Sequence, residues 1–348
     1  MANPNFSENE NINDPSASHR KSDHIDLAFS SRVGADKIDD RFYYEPIMSN
    51  HPIGIENLGL NFLGKNLAAP LWISSMTGGT NKAVTINKNL ATACGEFKLG
   101  MGLGSCRQLL ASDEYLGDFQ VRKYLGDQPL YANLGIAQLE KLIDDNQVTK
   151  VALLLDKLEA DGLIIHVNPM QEWLQPEGDR FKYAPIDTIK RILETIDVKI
   201  IVKEVGQGMG PQSLKALLSL PLEAIDFAAS GGTNFALLEL LRSSEIQNEN
   251  YQNLTKIGHN PMDMIKIVNE LVKELGDNCL CRQIIISGGV SDFLDGYYYM
   301  QKLLLPSIYG QASGFLKHAT GSYATLQEFT EKQLLGLSLA KAYLTVKE

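Results

Sequence analysis

Gly162-Leu163-Ile164-Ile165-His166-Val167, closing on Asn168, is a short apolar run with an imidazole set inside it. Sequence with helical character flanks it on both sides. Short continuous apolar runs between helices read as strands buried on both faces, the kind that parallel sheets use. Seven similar runs lie outward from this one. Upstream are Leu67–Met76, ending at Thr77-Gly78-Gly79, then Leu99–Leu103, ending at Gly104-Ser105, and Pro129–Ala132, ending at Asn133. Downstream are Lys199–Val205 with Lys203 inside it, Ala224–Ala229 ending at Ser230-Gly231-Gly232-Thr233, Gln283–Ile286 ending at Ser287-Gly288-Gly289, and Ser307–Gln311 followed by Gly314.

Amphipathic stretches fit between the runs, among them Gln138–Ala160, Pro211–Leu220 and Met262–Leu275, and a last one spans Tyr323–Thr345. Eight β/α units in series predict the α/β class and a single TIM (β/α)8 barrel. A doubly wound open sheet is the alternative, because periodicity does not report closure. No short-period repeat points to a solenoid. Residues 1–18 are rich in Asn, Ser and Pro and read as a disordered tail, leaving 19–348 as one barrel domain. The first ordered feature is expected at Arg20-Lys21-Ser22-Asp23-His24.

Composition narrows the function. The 348 residues are 44% hydrophobic, enough for one large core, and 21% charged, as in ordinary soluble proteins. A net charge of −10 argues against nucleic acid, which needs a basic face. No apolar run approaches the roughly 18 residues of a membrane span, and the N-terminus shows no apolar signal core. Cys94, Cys106, Cys279 and Cys281 match no zinc spacing, and Cys279-Leu280-Cys281 is too tight for an unstrained disulfide. Free thiols in a reducing cytoplasm are therefore expected.

In a barrel the active site lies at the C-terminal strand ends. Here Thr77, Ser105, Asn133, Asn168, Lys203, Thr233 and Ser287 stand at those ends. Several are ordinary turn formers. That does not account for His166 and Lys203, which sit inside apolar runs, where a polar group is costly unless paired or turned to the mouth. Gly231-Gly232-Thr233 and Ser287-Gly288-Gly289 each follow a strand and precede a helix. They are either tight turns or a phosphate cradle of backbone N–H groups. Together they point to a phosphate-bearing cofactor, and flavin mononucleotide (FMN) suits a barrel. Lys203 would favour an anionic reduced flavin, unless it only pairs with Glu204. His166 to Glu172 is the densest polar cluster, and Glu172 would bind Mg²⁺ shared with substrate phosphates. Arg107 and Arg20-Lys21 look like diphosphate ligands.

These stretches resemble one known family, the type 2 isopentenyl-diphosphate isomerases. The resemblance is carried by Arg20–Ile25, Ile73-Ser74-Ser75-Met76-Thr77-Gly78-Gly79-Thr80, Met101-Gly102-Leu103-Gly104-Ser105, Ala132-Asn133-Leu134-Gly135, His166–Glu172, Gln175-Pro176-Glu177-Gly178-Asp179, Val202-Lys203-Glu204-Val205-Gly206 and Ser230–Phe235. The motifs keep the family's order from Arg20 to about Gly289. The resemblance implies a TIM barrel, reduced FMN, Mg²⁺, NADPH as reductant, and interconversion of isopentenyl and dimethylallyl diphosphate. It implies that Ser75, Met76, Thr77, Ser105, Asn133, Lys203 and Thr233 hold FMN, with Gly288 and Gly289 at its phosphate. It places Arg20, Lys21, Ser105, Arg107, His166, Asn168 and Gln171 on the substrate and Glu172 on Mg²⁺. His166, Gln171 and Lys203 are expected in catalytic roles, with flavin N5 as the main acid/base group. A homo-oligomer, tetramer or octamer, is also implied.

The chain departs from the family pattern in three places. It has Val290-Ser291 where Arg usually follows the second glycine, Gly258-His259-Asn260-Pro261 in place of Gly-Ile-Pro-Thr, and Gly314-Phe315-Leu316-Lys317 at the eighth strand end. Lys317 is the candidate replacement for the missing positive charge. Two other readings stay open: an FMN-dependent dehydrogenase on the same barrel, and a non-catalytic module that binds a phosphorylated ligand.

Overall fold

The computed structural model describes residues 16–74, 77–80, 82–243 and 249–348. The chain divides into two units: an N-terminal one up to Tyr43 that includes Lys347 and Glu348, and a larger one, Tyr44–Val346. In the first, a helix spans Ala17–Leu27, so the last two residues expected in the tail are helical. Arg41 grips Asp39 through Nε at 2.9 Å and Nη2 at 2.7 Å, and the Lys347 ammonium lies over the Tyr43 ring.

The larger unit is a closed barrel of eight parallel strands. They are β1 Leu71–Ile73, β2 Gly100–Gly102, β3 Leu130–Gly135, β4 Gly162–His166, β5 Ile200–Lys203, β6 Ala224–Asp226, β7 Ile284–Ser287 and β8 Ser307–Gln311. Each pairs with its sequence neighbours, and β8 pairs with β1 to close the ring. The open-sheet alternative is thereby excluded.

Side chains alternate along a strand, so every second residue faces the barrel axis. One inward layer is apolar: Trp72, Tyr131, Ile164, Ile201, Ala224, Ile285 and Ile308 form one cluster with Phe62, Leu63 and Leu67. Phe62 and Leu67 belong to an antiparallel hairpin, Leu60–Phe62 with Lys65–Leu67, which plugs this end. Gly100 makes room for the indole of Trp72, since a Cβ there would come within 2.5 Å of it. Two residues further along the same strands stand Ser74, Asn133, His166, Lys203, Asp226, Ser287 and Gly310. The barrel therefore changes from dry to polar within one strand repeat, and the polar layer lies at the C-terminal ends.

Some expected boundaries move for local reasons. The run Leu67–Met76 is two elements, because Leu67 ends the plug hairpin and Pro70, with no N–H to donate, separates it from β1. Gln138–Ala160 divides into helices Ile136–Asp144 and Thr149–Leu158, with Asn146 left-handed at φ 55° between them. The last helix ends at Tyr343. No helix among the described residues is long and apolar enough to cross a membrane.

Candidate active site

A cavity of about 350 Å³ opens at the mouth beside the ends of β5 to β8 and β1. Lys203, Thr233, Gly288 and Gly289 line it together. The glycines are first a packing requirement. Gly288 has φ 80°, and a Cβ on it would lie 2.0 Å from the Ala229 carbonyl oxygen. Gly231, at φ 114°, would bring one to 3.0 Å from Gly289 Cα. The loops after β6 and β7 thus meet backbone to backbone, and the same closeness leaves their walls without side chains. Two buried oxygens on this cavity's lining have no partner: Ser74 Oγ and Gln311 Oε1. Neither was singled out from sequence, because Ser and Gln at strand ends carry no distinctive pattern.

Across the mouth, the polar cluster is wired together. His166 Nδ1 lies 2.7 Å from Asn133 Oδ1. An amide oxygen has no proton to give, so Nδ1–H is the donor and Nε2 keeps its lone pair. Burial, reinforced by the charges of Lys203 and Arg107, pushes the His166 pKa down to about 4, so the ring is neutral near pH 7. Asn168 Nδ2 donates to Gln171 Oε1 at 3.0 Å and to Glu172 Oε1 at 3.1 Å. Gln171 Nε2 donates to Glu239 Oε1 at 3.3 Å, so both ends of this amide are held. Glu172 is 7% exposed, and its Oε2 accepts the Asp179 N–H at 2.7 Å. The Asp179 carboxylate in turn takes Arg107 at 3.1 Å and Gln138 Nε2 at 3.0 Å. Arg107 therefore reaches the Glu172 cluster through Asp179.

Lys203 joins the two groups. It is the register partner of His166 on one side and of Asp226 on the other. Its ammonium donates to the backbone oxygen of Glu204 at 2.8 Å. The Glu204 carboxylate is occupied elsewhere, accepting N–H groups of Gly206, Gln207 and Gly208 at 2.6, 2.6 and 3.0 Å. A Lys203–Glu204 salt bridge is thus replaced by a carboxylate bound into its own loop. Asp226 is fully buried and accepts a hydrogen bond from the Ser287 hydroxyl through Oδ1. Its Oδ2 has no partner. Burial raises its pKa above the ordinary carboxylate value, and the Lys203 charge, the Ser287 bond and the Ala228 N–H oppose that shift only in part.

The remaining expected residues are placed as follows. Ser75 and Met76 lie outside the described residues. Thr77 is half-buried, its loop held by Asn87, whose Nδ2 donates to the Thr77 oxygen at 3.1 Å and to the Asp118 oxygen at 2.8 Å. Ser105 is exposed just past β2. Arg20 and Lys21 are exposed on the Ala17–Leu27 helix of the N-terminal unit. Ser291 and Gly314 line the cavity, whereas Lys317 does not. The divergent His259-Asn260 does not line it either; Asn260 Oδ1 caps the helix Pro261–Leu275 by accepting the Asp263 N–H at 2.9 Å. Among the described residues no group of three His, Cys, Asp or Glu could hold a metal alone. The four cysteines are free and buried.

Fold and site together define a β/α-barrel enzyme with one polar mouth. Solved structures of similar fold include a mandelate oxidase mutant with a monooxide FMN adduct, TM-score 0.53 at 10% identity, covering 88% of each chain. A flavocytochrome b2 variant with sulfite bound has TM-score 0.57 at 11% identity, covering 91% of this chain and 78% of that one. At such identities the likeness speaks for the fold. No family model matches the chain. Curated relatives named isopentenyl-diphosphate delta-isomerase do: that of Rickettsia felis is 34% identical over 321 residues, covering 91% of this chain and 89% of its own. That of Rickettsia canadensis is 33% identical over 339 residues, covering 94% and 95%. The chain belongs to the isopentenyl-diphosphate delta-isomerase family and is an isomerase.

Proposed function

We propose that the chain interconverts isopentenyl and dimethylallyl diphosphate with reduced FMN bound in the glycine-walled cavity and Mg²⁺ at Glu172. The observation that carries this is the joint lining of one cavity by Lys203, Thr233 and the Gly231–Gly232 and Gly288–Gly289 pairs. The residues fit a flavin. Ser74 and Gln311 offer buried oxygens that lack partners, the side-chain-free walls admit a flat ring and a phosphate, and Lys203 supplies the cation. Ser75, Met76, Thr77, Ser105 and Asn133 complete the proposed cofactor set on the family motifs. When bound and reduced, the flavin supplies the acid/base group for the proton transfers that move the double bond.

The chain's own groups supply binding and orientation. The Lys203 ammonium, fixed at the cavity edge, stabilises negative charge there. Neutral His166 presents Nε2 as an acceptor, held by Asn133. Gln171, fixed at both ends, positions the alkene; its amide is a poor acid or base. Arg107 binds the diphosphate, as do Arg20 and Lys21, which enter on motif and charge alone. Glu172 and Asn168, whose Oδ1 is buried without a partner, form a donor set suited to a Mg²⁺ that keeps waters and takes substrate phosphate oxygens. Such positioning supplies roughly 7–11 kcal/mol of barrier lowering in well-oriented systems. NADPH as reductant, assembly as a tetramer or octamer, a cytoplasmic setting and one barrel domain over residues 19–348 belong to the same proposal, on the family resemblance.

The test is anaerobic incubation with isopentenyl diphosphate, FMN, Mg²⁺ and NADPH. Dimethylallyl diphosphate should form catalytically, without stoichiometric NADPH loss, and not while the flavin stays oxidised. No product from protein with confirmed reduced FMN would sink the proposal. Net flavin reduction by substrate would put the dehydrogenase reading in its place.

A further inference from the structure

Asp226 has no place in the scheme above, yet it is the most unusual polar group in the barrel. Its side chain is 0% exposed, it stands in the inward polar layer, and Oδ2 meets no donor. A buried charge needs a partner. The charged or ionisable groups around Lys203 narrow what that partner is. On one flank His166 is held neutral. The Glu204 carboxylate is turned to three amides of its own loop. On the other flank stands Asp226, in register with Lys203 on the adjoining strand and on the same inward face. The ammonium uses one of its three protons on the Glu204 carbonyl, which leaves two to serve a neighbour. Ser287 ties the arrangement to the cavity wall: it lines the cavity, donates to Asp226 Oδ1, and accepts the Ala228 N–H at 3.0 Å.

We propose that Asp226 is the counter-ion of Lys203 and, by offsetting that charge, sets how strongly the cavity favours an anionic reduced flavin. Asp226 is thus a positioning and tuning residue that acts through Lys203. The inference rests on the flavin reading of the cavity. An unopposed ammonium would hold a reduced, anionic flavin so firmly that oxidation state would be hard to reverse, and a carboxylate behind it moderates this field.

The experiment is spectroelectrochemical titration of the FMN-loaded enzyme. Asp226→Asn keeps Oδ1 as an acceptor for Ser287 and removes only the charge. The reduced-to-oxidised ratio at a fixed potential should rise about tenfold, close to 30 mV for a two-electron couple. Lys203→Ala should move it the opposite way. Adding Asp226→Asn to Lys203→Ala should change nothing further, because a buried carboxyl without its cation takes up a proton. Asp226→Glu should restore the native value. An unchanged potential in folded, FMN-loaded Asp226→Asn overturns the pairing. If that variant does not fold, infrared spectra of wild-type protein carrying carboxyl-¹³C aspartate decide: a protonated-aspartate band at neutral pH overturns the proposal, and its absence supports it. Failure of the wild-type protein to bind flavin would instead count against the functional reading, and the infrared result would still judge the pair.

Discussion

His166 shows how one residue's surroundings decide what it can do. Its folded pKa, about 4, lies below its ordinary value of 6.5. As pH falls, the unfolded chain therefore takes up the proton first, and stability drops from about pH 6.5 toward 4. Above pH 6.5 the contribution is constant. His166→Asn removes this linkage, so the fall in melting temperature between pH 7 and pH 5 should be smaller in the variant; equal falls would show that the imidazole is not buried as neutral base. The reasoning that singled out His166 and Lys203, polar groups inside apolar runs, applied equally to Asp226 within Ala224–Ala229. Glu239, by contrast, was illegible. It sits three residues before Arg242 on a helix, a spacing that normally marks a solvated pair, and only the fold shows it 2% exposed and bonded to Gln171.

Among the elements, the loops after β6 and β7 carry the cofactor proposal, and their chemistry is unusual for a phosphate site. Lys203 is the one Lys or Arg on the cavity lining among the described residues. At the helix that follows β7, Asp292 takes the N–H groups of Leu294 and Asp295 at 2.8 and 3.2 Å, and Asp295 takes that of Ser291 at 2.8 Å. Two carboxylates thus occupy amides that an anion would otherwise use. A phosphate beside these loops would rely on the glycine N–H groups, with Val290-Ser291 rather than Arg following Gly289. Ser291→Arg should tighten FMN binding about tenfold, the worth of one charge-assisted hydrogen bond of about 1.5 kcal/mol, and steepen its salt dependence. Calorimetry at two ionic strengths checks this; unchanged affinity would place the phosphate away from Ser291. Most strand positions were legible because the run is apolar and ends in Gly, Asn, Ser or Thr. The Leu67–Met76 run reads as one because Leu67, Ala68 and Ala69 are apolar like β1, and Pro70 alone marks the break. The split of Gln138–Ala160 rests on a left-handed Asn146 that periodicity does not register.

For the whole molecule, the question is how labour divides between the barrel and the N-terminal unit. The barrel contains its own core, its plug and the wired polar layer, and Arg20 and Lys21 belong to the N-terminal unit. Those two residues lie on a helix whose described side chains are all exposed. Substitutions of exposed charges away from packing and networks usually change stability by less than about 0.5 kcal/mol. If they bind diphosphate, each loses a charge-assisted contact of about 1.5–3 kcal/mol on truncation, equivalent to roughly 10- to 100-fold in affinity. The full-length double variant Arg20→Ala/Lys21→Ala should therefore keep its melting temperature and its FMN content, with KM for isopentenyl diphosphate raised at least 100-fold and kcat affected less. The split separates binding from folding, because a structural role would lower melting temperature and FMN content with KM nearly unchanged. Unaltered KM with unaltered stability would remove both residues from the substrate set and leave the diphosphate to Arg107 and a Glu172-bound Mg²⁺.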